Sequence, residues 1–80
     1  MKPSSHPGSV IAPADLGRLV RQRRKDAGFT QAEVAGLTGV GVRFFGDLER
    51  GKATVELGKV LQVLFRLGLQ VNVTRRGGPR

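Results

Sequence analysis

Residues 30–52 read TQAEVAGLTGVGVRFFGDLERGK, and the punctuation of this stretch decides the fold. Thr30 is followed three residues later by Glu33, which makes a capping box. The hydroxyl accepts from one of the first free amides of a helix, and the carboxylate reaches back to the amide of the cap. The helix so opened is short, from 31 to about 37, with Val34, Ala35 and Leu37 expected inside. Thr38-Gly39-Val40-Gly41 is a tight connection whose two glycines accept dihedrals that other residues avoid. A further short helix is expected from about 42 to 50, where Phe45 and Leu48 share an inner face and Gly51 stops the run. Two short helices across a Gly-containing turn form a helix-turn-helix pattern.

The flanks extend this pattern on both sides. Leu16, Leu19, Val20 and Arg23 follow helical spacing, with Asp15 as the expected N-cap and Gly28 as the stop. Beyond Gly51, Thr54 is the expected cap of a fourth helix, with Glu56 in its first turn. Val60, Leu61, Leu64 and Leu67 form its apolar stripe, Leu57 lies one turn earlier, and Gly68 ends it. The period then changes: Leu69, Val71 and Val73 alternate with Gln70, Asn72 and Thr74, as in a strand. A lone strand leaves its backbone groups unpaired, so its simplest partner is the same strand of a second copy. The expected organisation is a flexible tail (1–14), a helix-turn-helix domain (15–67), a dimerisation strand (68–74) and a basic tail (75–80).

Composition narrows the function. Among 80 residues, 14 Lys and Arg face 6 Asp and Glu, a net charge of +8 that calls for an anionic partner, nucleic acid first. There is no Cys and a single histidine, His6, which excludes a disulfide scaffold and a Cys- or His-based metal site. No nucleophile with a paired base and no phosphate-binding glycine loop is present, so neither an enzyme nor a cofactor is expected. No apolar run approaches the ~20 residues of a membrane span, and residues 1–9 are polar and Pro-containing, unlike a signal peptide. A cytoplasmic, nucleoid-associated protein is therefore expected. A folded part of about 60 residues is marginal alone, which again favours a dimer.

The same residues resemble the helix-turn-helix of the Xre/Cro-type repressor family. Thr30, Gln31, Ala35, Gly39, Val40, Leu48, Glu49, Gly51 and Lys52 carry its pattern, and Arg24 matches the arginine of its first helix. The resemblance implies a mainly α, lambda-repressor-like domain of four to five helices that binds double-stranded DNA. It also implies that Thr30 and Gln31 meet a DNA phosphate, and that Arg24 and Glu49 form a partly buried salt bridge. The helix from 42 becomes the recognition helix, whose N-terminal residues enter the major groove. Arg43 is its best base reader, because a guanidinium pairs with guanine O6 and N7, and Val42 suits a thymine methyl. Asp47 either accepts from cytosine N4 or, more simply, holds Arg43 in one rotamer. Gly41 departs from the Ser or Thr common in the family; its backbone amides still suit a phosphate. Arg50 and Lys52 are expected at phosphates. Phe44 is expected beside the fourth helix or nearer the DNA.

Residues 43–55, RFFGDLERGKATV, are similar in particular to HipB-like antitoxins. That resemblance implies a homodimer joined through Leu69, Val71 and Val73, a palindromic operator, and a HipA-like kinase toxin as protein partner. A stand-alone Xre-type regulator is the alternative. A small basic RNA-binding protein fits less well, since only four Phe and no Tyr or Trp are available for stacking.

Overall fold

Pro13 opens the first helix, its fixed φ and missing amide suiting the first turn. The computed structural model describes residues 9–77, and the expected tail residues 1–8 and 78–80 lie outside them. Four helices follow in order: α1 (Pro13–Asp26), α2 (Gln31–Thr38), α3 (Val42–Glu49) and α4 (Leu57–Arg66). The N-cap of α1 is Ala12 rather than Asp15. Ala12 has no side-chain acceptor, so Asp15 serves from inside the first turn. Its Oδ2 accepts from the amides of Ile11 and Ala12 at 2.9 Å each. These two bonds, with that from Arg18, hold the Asp15 carboxyl below the usual carboxylate range. Helix therefore begins two residues before the expected domain boundary.

The capping box at α2 is formed as its residues dictate: Thr30 Oγ1 accepts from the Glu33 amide at 3.1 Å, and Glu33 Oε1 from the Thr30 amide at 2.8 Å. Gly39 ends α2 with φ 79°, a left-handed conformation that favours glycine. Val34, Ala35 and Thr38 point inward, whereas Leu37, expected inside, is 57% exposed. Position 38 falls one turn after Val34 on the inner face. Thr38 tolerates burial there because its hydroxyl donates to the Val34 carbonyl at 2.8 Å. The cap of α4 is Glu56, not Thr54, and the residues before it close the turn through Gly51, φ 82°. Val55 packs against the core in that linker and delays the helix.

Phe45 is the largest fully buried side chain, with Val20, Val34, Leu48, Val60, Val63, Leu64 and Leu67 around it. The inner stripe of α4 runs through Val63, and the expected Leu57 and Leu61 lie outside it, 67% and 45% exposed. Spacing explains the shift, since 60, 63, 64 and 67 share one face and 57 and 61 sit at its edge. α1 packs on α3, and α2 touches both α3 and α4. The α1–α3 crossing is close because Gly17 has no side chain. A Cβ there would lie 2.5 Å from the Glu49 carbonyl oxygen and 2.7 Å from that of Leu48. At the other end of α1, Arg23 Nε donates to the Leu67 carbonyl at 2.8 Å and ties it to the end of α4.

Gly68 reverses the chain with φ 77°, and the Leu69 amide returns to the Leu64 carbonyl at 2.8 Å. Residues 69–75 then run without regular secondary structure, so the strand expected there is not formed within one chain. Leu69 packs against the core, while Val71 and Val73 are exposed. Among the described residues no helix is long and apolar enough to cross a membrane.

The Gly17→Ala variant should lose about 1–3 kcal/mol, because the new methyl meets backbone rather than a movable side chain. Gly36→Ala meets nothing within 4 Å. It should be neutral or gain up to about 1 kcal/mol from helix propensity. Thermal melts of both variants check the contrast.

Candidate nucleic-acid interface

The two helices of the motif are held by a buried polar cluster. Arg24, buried in the last turn of α1, donates from Nε to Glu49 Oε2 at 2.7 Å and from Nη2 to Glu49 Oε1 at 3.1 Å. Its Nη1 donates to the Phe29 carbonyl at 2.8 Å. Gln31 Nε2 adds a fourth bond, to Glu49 Oε1 at 2.8 Å. The Glu49 bond raises the Arg24 pKa further and outweighs the opposing effect of burial, so the guanidinium stays charged. One carboxylate at the end of α3 thus holds α1, and Gln31 brings in the start of α2. The Gln31 bond could not be read from the sequence: 18 residues separate it from Glu49, and its only local signal is the cap of α2.

The start of α3 is open. Gly41 caps it without a side-chain bond, and the first intrahelical bond runs from the Phe45 amide to the Gly41 carbonyl. The amides of Val42, Arg43 and Phe44 therefore have no helical acceptor. Val42 is 52% exposed. Arg43 is exposed and enters no ion pair among the described residues. Phe44 packs against the core, with Lys59 Nζ 5.7 Å from its ring centre, which places it beside α4.

Asp47 does not hold Arg43. Its Oδ1 accepts from Arg50 Nη2, and its Oδ2 lies 3.6 Å from Lys52 Nζ. The chain makes this choice, because the turn after α3 folds back through a bond from the Lys52 amide to the Asp47 carbonyl at 3.0 Å. That turn brings both later cations onto the carboxylate. Burial is the largest single influence on Asp47 and raises its pKa, but the Arg50 bond and the charges of Lys52 and Arg50 together hold it below the ordinary value. Gly46 completes the arrangement. A Cβ there would lie 3.2 Å from Arg50 Nη1 and 3.7 Å from Gln31 Oε1, so both side chains converge over a bare stretch of helix.

The expected site residues thus fall into two groups on the motif. Gly41, Val42 and Arg43 stand at the open start of α3. Gln31, Asp47, Arg50 and Lys52 gather near its end, with Thr30 at the adjoining cap of α2. Leu69, Val71 and Val73 lie beyond α4, and Leu69 and Val71 line a groove with it. Among the described residues no group of three His, Cys, Asp or Glu could hold a metal ion.

Residues 15–76 match the family described as helix-turn-helix domain. A curated relative from Sinorhizobium fredii, the uncharacterized HTH-type transcriptional regulator y4mF, is 52% identical over 71 residues, covering 89% of this chain and 93% of its own. A solved HipB–O2 20mer complex has a similar fold, with TM-score 0.76 and 22% identity over 85% of this chain and 94% of that one. A chain of the HipA-HipB-O2-O3 complex gives TM-score 0.76 and 20% identity, covering 85% and 96%.

Glu49→Ala would leave Arg24 buried without its counter-ion and should cost about 3–5 kcal/mol in urea unfolding. Gln31→Ala removes one bond to a charged acceptor and should cost about 1–3 kcal/mol. A loss below 1 kcal/mol for Glu49→Ala would refute the bracing role of the cluster.

Proposed function

The chain belongs to the helix-turn-helix domain family of DNA-binding transcriptional regulators, and from that premise we propose that it is a dimeric repressor and antitoxin. It binds a palindromic operator with one α3 in each half-site, and it neutralises a HipA-like kinase toxin. The observation that carries the DNA reading is the open start of α3, where Arg43 stands exposed, without an ion pair among the described residues, beside amides that have no helical acceptor.

In this reading α3 enters the major groove by its N-terminus. Arg43 makes paired bonds to guanine O6 and N7, and Val42 covers a thymine methyl. The Gly41 turn offers amides to a phosphate, and Thr30 adds the start of α2. Arg50 and Lys52 take phosphates at the far end of α3. Gln31 serves both roles without moving: its amide nitrogen has a second N–H left after the Glu49 bond, and that N–H suits a phosphate. The operator is silenced by occupancy, in the cytoplasm and on the nucleoid.

The dimer is supported by apolar surface that one chain leaves bare. Leu57, Leu61 and Phe65 follow one another at four-residue intervals on the outside of α4, all exposed. Leu61 and Phe65 join Leu69 and Val71 around a groove of about 510 Å³. Residues 68–74 have the alternation of a strand but no ladder within the chain. A second copy supplies both the ladder and the cover. The antitoxin role is supported by the likeness of residues 43–55 to HipB-like antitoxins and by the fold shared with HipB in a complex with HipA. A stand-alone regulator is the second reading, favoured by the description of the Sinorhizobium fredii relative as a transcriptional regulator. Co-purification with a kinase encoded beside the gene separates the two.

Fluorescence anisotropy against the gene's own upstream DNA and a scrambled duplex, over a salt series, tests the repressor reading. Tight binding to the upstream DNA alone, with two chains per site, is expected; equal and steeply salt-dependent binding to both refutes it. Arg43→Ala should cost about 1–3 kcal/mol and relax specificity at one base position. Lys52→Ala should weaken binding without changing the base preferred at any position, and lower the salt slope by about one. For the dimer, Phe65→Asp and Val71→Asp should each sediment as monomers with unchanged helical circular dichroism, since both side chains are exposed.

A further inference from the structure

α3 carries two acidic residues, and they have different duties. Glu49 is buried and spent on Arg24 and Gln31. Asp47 sits near the surface of the helix that reads DNA, where a lone carboxylate would repel phosphates. It is not alone. Its side chain is 19% exposed, beneath Arg50 and Lys52 at 68% and 55%. Each of its oxygens faces a different cation, and the Lys52 amide bond to the Asp47 carbonyl fixes the turn that brings the second one round. Gly46 leaves room for the Arg50 guanidinium to lie back across α3, beside the Gln31 side chain.

We propose that Asp47 is a specificity-determining positioning residue. It holds Arg50 and Lys52 as a pre-formed pair for one phosphate and cancels part of their attraction to any other. This rests on the reading of α3 as the recognition helix. Two cations around one carboxylate carry a net charge of +1 instead of +2, so a phosphate met in the wrong register is held weakly. In the right register the pair needs no reordering, and the two cations engage together. Exposed ion pairs usually contribute little to folding. The effect of this one falls on binding. Arg43, one turn earlier, is left unengaged by Asp47 and stays available to bases.

The test is the anisotropy titration repeated with Asp47→Asn. Binding to the scrambled duplex should strengthen about threefold to tenfold at low salt, because one repelling charge near the phosphates is gone. The salt slope should steepen by about one. Binding to the upstream DNA should stay level or weaken, so the ratio between the two falls at least about threefold. An unchanged ratio, or equal weakening on both duplexes, overturns the proposal. Asp47→Glu keeps the charge but moves it outward by one methylene. It should leave the scrambled duplex unchanged and weaken the upstream DNA about threefold; wild-type binding to both would also overturn the positioning role. In the Arg50→Gln/Lys52→Gln background, Asp47→Asn should no longer lower the ratio. A wild-type protein that does not discriminate at all fails the operator reading itself, and this proposal with it. A ratio that Asp47→Asn leaves unchanged fails this proposal alone.

Discussion

The carboxylate of Glu49 is the point on which this small domain turns. Three donors from Arg24 and Gln31 converge on its two oxygens, and Arg24 also holds the Phe29 carbonyl. A buried ion pair gains little net energy over an apolar substitute, because desolvation offsets most of the attraction. Its value here is geometric. Hydrophobic contacts among Val20, Val34, Phe45 and Leu48 are non-directional and tolerate small rotations, whereas four bonds from α1 and α2 do not. Gly17 is the steric counterpart of the same constraint. Its bare backbone lets α1 reach the end of α3, where Arg24 can find Glu49.

Charge is distributed to a similar end. Asp15, Asp47, Glu49 and Glu56 are each in an ion pair within the chain. Glu33 is committed to the cap of α2, and Asp26 accepts from Gln22. The six acids are thus engaged within the chain, and among the described residues the cations outside these ion pairs are exposed. Such a field draws in any polyanion but reads no sequence. In the proposed reading discrimination needs cations that are placed, and near α3 there are two kinds: Arg43, exposed and without an ion pair among the described residues, and the Arg50–Lys52 pair, organised around Asp47.

How much of this was legible depended on how local the cause was. The Thr30–Glu33 box and the glycine stops at 28, 51 and 68 are decided within a few residues and are as the sequence implies, whereas of the two turn glycines only Gly39 takes a positive φ and Gly41 is extended at φ −73°, a conformation open to any residue. Phe45 and Leu48 were readable as core from spacing alone. Leu37 was not, because a helix of eight residues leaves its inner face to be chosen by packing, and Thr38 took it with a hydroxyl that satisfies itself. Helical spacing offers Asp47 either a cytosine contact or the task of holding Arg43, but the turn beyond the helix brings it two nearer cations, Arg50 and Lys52. The start of α1 was misplaced because Asp15 caps from within the helix, a role that composition does not distinguish from the N-cap itself.

The strand at 68–74 belongs to a different class of inference, since its partner is not in the chain. Its alternation is visible, and so is the bare apolar edge of α4, but pairing is a property of two copies. In the proposed dimer this has a consequence for DNA. The pairing surface is built on α4 and the segment after it, and α4 packs on α2, which in turn packs on α3. The separation of two recognition helices, about 34 Å for half-sites one turn apart, would therefore be transmitted through α2, together with the direct contact of Phe44 on α3 with Lys59 on α4. The angle between α2 and α3 is held by the bond from Gln31 to Glu49. A rotation of a few degrees there is multiplied by the distance to the dimer axis. The buried carboxylate would in this way set the spacing of the operator that the dimer can span, from a position inside the fold.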